Sequence, residues 1–118
     1  MNRALLAALA VVAALVAVYL LAKPSKSATA RALDAKKWVV YVREGCGPCT
    51  KQKATLAELG FTRIVHHDAQ GRRVGAVPRG APAVPPGGLK AFPTWFEAST
   101  GRVVVGAQSA AQLAKLAT

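Results

Sequence analysis

The chain has 118 residues, 53% of them hydrophobic, and its 16 Lys+Arg against 5 Asp+Glu give a formal net charge of +11. That length accommodates one domain and no more. The basic residues are scattered, with no basic helix, no aromatic-interleaved basic patch and no groove-reading motif, which excludes a nucleic-acid partner and reads instead as a solvated surface beside anionic lipid.

The first element is "ALLAALAVVAALVAVYLLA", residues 4–22, which carries no charge. As a helix it would cover about 28 Å, close to the ~30 Å hydrocarbon core of a bilayer. Residues 1–22 are therefore expected to be an N-terminal transmembrane helix, a retained anchor rather than a cleaved signal. The alternative is export with cleavage at Ala28-x-Ala30. Only Arg3 and the amino terminus precede the apolar run, whereas Lys23, Lys26, Arg31, Lys36 and Lys37 follow it. Counting those charges would hold the domain in the cytoplasm, but the count applies to translocated segments below ~60 residues. The short basic start, apolar run and Ala-x-Ala together resemble an export signal. The expected placement is the inner (plasma) membrane, single-pass, in contact with membrane lipid, with the domain on the extracytoplasmic side.

Residues 23–36 read as a linker with a short helix around 28–36, and 37–118 as the domain. "WVVYV", 38–42, is β-branched, aromatic and apolar throughout, as in a strand buried on both faces. The segment beginning "CGPCTKQK" becomes helical, with Ala54, Leu56, Ala57 and Leu59 near helical spacing and Gly60 at the C-terminal cap position. "FTRIVHHD", 61–68, is a second strand, completing a βαβ unit. Residues 69–91 hold four prolines and five glycines in 23 residues, too many for a helix. A hairpin follows over 93–106, and then a helix whose Ala111, Leu113 and Leu116 can face a sheet. The order β-α-β-loop-β-β-α gives an α/β fold, a four-stranded mixed sheet covered by helices, after the N-terminal transmembrane helix.

Both cysteines, Cys46 and Cys49, lie where the first strand passes into the helix. The free N–H groups and the helix dipole there favour an anion. Three residues on, Cys49 returns to the same side, so its sulfur can reach that of Cys46. Pro48 costs little in a first helical turn. The spacing suits a cycle in which Cys46 attacks a disulfide, a mixed disulfide forms, and Cys49 displaces the product. A zinc half-site is the weaker reading, since it needs two more ligands. The only histidines, His66 and His67, point to opposite faces of a strand and read as surface residues. A structural clip closing so short a loop would stabilise little.

"CGPC" between a buried strand and a helix, followed by "FPTW", resembles the thioredoxin superfamily. More narrowly, "CxxCxKQK", "FPTW" and "GxQSxxxLAKL" are similar to the thioredoxin-like domain fused to bacterial and plant vitamin K epoxide reductase homologues. The resemblance spans about residues 37–117. It implies a thioredoxin-like fold and a protein disulfide oxidoreductase with Cys46 as nucleophile and Cys49 as resolving thiol. Gly47 and Pro48 would form the active-site loop. Pro93 would be cis and, with Phe92 and Thr94, form part of the substrate-binding surface. The implied partners are protein thiols and disulfides, with a quinone-linked or transmembrane electron-carrier redox partner. No cofactor, metal or nucleic acid is implied, and the chain is expected to be a monomer. Three departures stand out: Gly45 replaces the usual Trp before the first Cys, the strand 39–42 lacks an acid, and the stretch 69–91 replaces a helix. The alternative of another class is a non-catalytic membrane-tethered binding module that holds a partner through 69–91.

Overall fold

A strand that is apolar at every position must be covered on both faces, and this requirement organises the molecule. The computed structural model describes residues 2–22 and 26–118. Strand β1, Trp38–Arg43, has its first five side chains at most 1% exposed. It pairs in parallel with β2, Ile64–His67, and antiparallel with β4, Thr94–Glu97, so it is the middle of the sheet. The full order is β3-β2-β1-β4-β5, with β3 at Arg73–Val74 and β5 at Arg102–Val105.

One face of the sheet is covered by helices. Trp38, Val40 and Val42 of β1 and Trp95 of β4 pack there against three helical elements. These are α2 (Ala28–Ala35), α3 (Gly47–Leu59) and α4 (Ala110–Leu116), contributing Ala30 and Leu33, Cys49 and Leu56, and Leu113. Trp38 and Trp95 meet edge to face at 6.3 Å, an arrangement that adds about 0.5–1.5 kcal/mol beyond area burial. On the opposite face lie Val39, Tyr41, Val65 and Phe96, and here the Pro/Gly-rich segment does the covering, through Val77, Ala81 and Leu89. The Tyr41 hydroxyl donates to the Pro82 carbonyl at 2.7 Å, fastening this segment to the sheet.

The described structure corrects several expectations. The sheet has five strands rather than four, because Arg73–Val74 adds a short antiparallel edge to β2 within the segment expected to be irregular. Helices do not cover both faces. In α3 the buried stripe is Cys49, Gln52 and Leu56, while Ala54 and Ala57 face solvent, as does Ala111 in α4.

The N-terminal expectation is also overturned. Helix α1, Arg3–Ala22, forms, but among the described residues no helix is long and apolar enough to cross a membrane. The single-pass transmembrane assignment is therefore withdrawn.

Helix α2 occupies Ala28–Ala35 within the stretch expected to be a linker. Ser27 caps it, its side chain accepting from the Ala30 N–H at 3.1 Å, and Ala30 and Leu33 are wholly buried. The Ser27 N–H also donates to the Leu59 carbonyl at 2.9 Å, joining α2 to the end of α3. The Ala28-x-Ala30 motif thus lies inside a packed helix. A chain beginning at Arg31 lacks the cap and the first turn, and is expected to be about 1–2 kcal/mol less stable than one beginning at Lys26. Thermal denaturation of the two chains checks this, and equal midpoints would contradict it.

Candidate functional site

Cys46 follows β1 and caps α3: its Sγ accepts the Cys49 N–H at 3.3 Å. Gly45, just before it, has φ +73 with open space at its Cβ position. A side chain there would meet backbone strain rather than a neighbour. Gly47 and Pro48 are exposed in the first turn, where Pro48 breaks no intrahelical hydrogen bond. At the other end Gly60, with φ +75, closes α3, its N–H bonding the Ala57 carbonyl.

The two thiols differ in environment. Cys46 is half-buried and Cys49 is fully buried, and both are free. The Cys49 thiol is pushed up to about 11, first by burial, then by its hydrogen bond with the Cys46 side chain. The Arg43 N–H, which donates to Cys49 Sγ at 3.5 Å, opposes that shift. The accessible sulfur is thus Cys46, and the shielded one Cys49.

Across from the thiols, the Phe92–Pro93 peptide bond is cis. The Cys46 thiol donates to the Phe92 carbonyl at 3.6 Å. The three residues expected at a substrate surface are not equivalent. Phe92 is half-buried, but Pro93 and Thr94 are buried, and the Thr94 hydroxyl donates inward to the Ala91 carbonyl at 2.7 Å. The Phe92 ring meets the Arg43 guanidinium, 5.4 Å from its centroid, and the His67 ring at 5.1 Å. Arg43 and His67 are register partners on β1 and β2.

Sequence reasoning missed several of these neighbours. His67 is not a surface residue: it is 4% exposed, with Nδ1 3.1 Å from the Val42 carbonyl, and only His66 faces solvent. Gln52 is 1% exposed and fully engaged. Its Oε1 accepts from Trp95 Nε1 at 3.1 Å and from the Gln108 N–H at 2.6 Å, and its Nε2 donates to the Gln108 carbonyl at 3.0 Å. A signal for it existed, since Cys49, Gln52 and Leu56 share one helix face. Among the described residues no three His, Cys, Asp or Glu side chains converge as a metal-binding group.

Burial of titratable groups gives the fold an alkaline limit. The Cys49 thiol at about 11 and the Tyr41 hydroxyl at about 12 are both raised, first of all by burial. The unfolded chain loses these protons near 9 and 10, the unperturbed values, so above pH ~9 the folded state binds more protons than the unfolded one. The stabilisation is complete below pH ~9 and is lost as pH rises through 11 and 12. The melting temperature is expected to fall steadily above pH ~9. Cys49→Ala should flatten the lower part of that decline and Tyr41→Phe the upper part, checked by calorimetry across pH 8–12. An unchanged slope in both variants would contradict it. The chain matches no family model, and no curated protein or solved structure is similar enough to it to inform the site.

Proposed function

We propose that this domain is a thiol–disulfide oxidoreductase of the thioredoxin type, exchanging two electrons with protein disulfides through Cys46 and Cys49. The observation that carries the reading is the asymmetry of the pair. A half-exposed sulfur caps α3 and receives the Cys49 N–H, while its partner thiol is buried one turn behind and held protonated.

The chemistry follows from that asymmetry. The Cys46 thiolate attacks one sulfur of a substrate disulfide, a mixed disulfide forms, and the other substrate sulfur leaves as a thiol after taking up a proton. The hydrogen bond and charge of Cys46 that raise the Cys49 thiol are lost once Cys46 is in the mixed disulfide. Cys49 then gives up its proton more readily, attacks Cys46 Sγ, and expels the second substrate thiol. Two electrons and two protons pass from the dithiol to the substrate disulfide, and the same steps reversed oxidise a substrate dithiol. Protein disulfides persist chiefly outside the cytoplasm, and that is the compartment this activity suits.

The test is alkylation followed by turnover. With iodoacetamide at pH 7.5, peptide mapping is expected to find Cys46 modified long before Cys49, whose thiol at about 11 leaves well under ~1% thiolate at that pH. The reduced full-length protein is expected to reduce insulin disulfides with dithiothreitol as electron source. Faster modification of Cys49, or no acceleration of insulin reduction, would overturn the proposal.

A further inference from the structure

The charge beside the reactive thiol is unmatched. Four of the five acidic residues are engaged elsewhere: Asp34 with Lys26, Glu44 with Lys53, Asp68 with Arg72, and Glu97 with Arg102. The fifth, Glu58, lies at the far end of α3. Even Glu44, next to Arg43 in the chain, is taken by Lys53 at 3.6 Å. Among the described residues Arg43 has no carboxylate partner, and its Nε is buried without any hydrogen-bond partner.

Its position is fixed and close to the chemistry. The Arg43 backbone N–H donates to Cys49 Sγ, and its guanidinium lies over the Phe92 ring, 5.4 Å from the centroid. The carbonyl of that same Phe92 accepts from the Cys46 thiol. One residue thus separates the unmatched cation from the attacking sulfur. The buried His67 ring also contacts the Phe92 ring, their centroids 5.1 Å apart. A planar guanidinium over an aromatic ring presents a rigid fork of donors, suited to a carboxylate in a way that a flexible ammonium is not.

We propose that Arg43 is a specificity-determining residue that selects substrate disulfides with an Asp or Glu beside the attacked cysteine. This rests on the oxidoreductase reading above. The substrate carboxylate pairs with the Arg43 guanidinium while the neighbouring sulfur meets Cys46. The exchange itself is unchanged: the Cys46–substrate S–S bond forms as the substrate S–S bond breaks, and the two electrons come from the Cys46–Cys49 dithiol. Arg43 contributes binding and orientation only.

Two synthetic peptide disulfides, identical except for Asp or Lys next to the attacked cysteine, test this with the pre-reduced full-length protein in single turnover. Each rate constant is divided by that of β-mercaptoethanol on the same peptide, which removes the intrinsic effect of the neighbouring charge. The Asp peptide is expected to react about tenfold faster than the Lys peptide at low ionic strength, a preference that shrinks with added salt. Arg43→Gln is expected to reduce the ratio to about one and Arg43→Glu to invert it. The readout is a ratio within one protein, so a general loss of activity in a variant does not alter it. Equal normalised rates in the unaltered protein, or a ratio that survives Arg43→Gln, would overturn the proposal. Exchange with neither peptide would overturn the oxidoreductase reading together with it, and so is distinguishable from exchange without charge preference.

Discussion

Cys49→Ser is expected to leave the protein covalently joined to its substrate, and Cys46→Ser to abolish exchange. The two outcomes follow from the different surroundings of the two sulfurs. Cys46 is half-exposed at the start of α3, so it is the sulfur that a substrate disulfide can approach in line. A serine hydroxyl at that position is not ionised at neutral pH, and the rate should fall on the order of a hundredfold or more, to the uncatalysed background. Cys49 is buried with its thiol pushed up to about 11, so it enters only after the mixed disulfide has formed. Replacing it leaves the first step intact and removes the second, and mixed disulfides should accumulate to near one per chain. Non-reducing electrophoresis and mass spectrometry of the full-length protein incubated with a disulfide-bonded substrate read both outcomes. Mixed disulfides in Cys46→Ser but not in Cys49→Ser would reverse the assignment.

The largest expected loss of stability comes from a residue without redox chemistry. Gln52→Ala removes the one side chain that satisfies Trp95 Nε1 and both backbone groups of Gln108. A buried donor left unpaired costs about 1–3 kcal/mol, and the vacated volume adds to that. Gln108 is half-buried and recovers part of its loss from water, but Trp95 is wholly buried. The sum is about 2–4 kcal/mol, a large share of the ~5–15 kcal/mol typical of a whole domain. The melting temperature should drop by roughly 10–25 °C. Gln52→Leu fills the volume and still leaves the indole N–H orphaned, so it should recover only part of the loss. Combining Gln52→Leu with Trp95→Phe removes both partners at once, and the double variant should be more stable than the sum of the two single losses. Strict additivity in that cycle would show that the hydrogen bond contributes nothing. Exchange activity should decline as well, because this network ties the helix bearing both cysteines to β4 and to the segment entering α4.

Much of the domain was legible because its signals are local. Continuous apolar character marks Trp38 to Val42 as a strand enclosed on two sides, and Cys46, Pro48 and Gly60 mark the two ends of α3 through capping chemistry alone. The proximity of Cys46 and Cys49 follows from helical spacing. What escaped depends on partners distant in the chain. Arg73–Val74 has no strand signal of its own and is ordered by pairing with His66 and His67. His67 is buried because Phe92 and the Val42 carbonyl meet it, and neither is near it in sequence. Gln52 reads as a polar helix residue until Trp95 and Gln108 arrive. Ala30 and Leu33 sit in a polar, charged stretch that resembles a tether, and only the packing of α2 against α4 and β1 shows otherwise. The Pro/Gly content of 69–91 correctly rules out a helix, but composition alone does not reveal that the segment covers the sheet.

The covering segment also divides the molecule in a particular way. Everything upstream of it carries both sulfurs and the central strand, whereas everything downstream carries Phe92–Pro93, β4 and β5. Among the described residues the only sheet seam between the halves is the antiparallel pairing of β1 with β4, from Trp38–Glu97 to Tyr41–Thr94. A backbone cut within 76–90 therefore yields two pieces that each hold half of the site. Reassembly requires one strand to dock along one open edge and no chain to be threaded. The site is thus complete only while the two halves are held together.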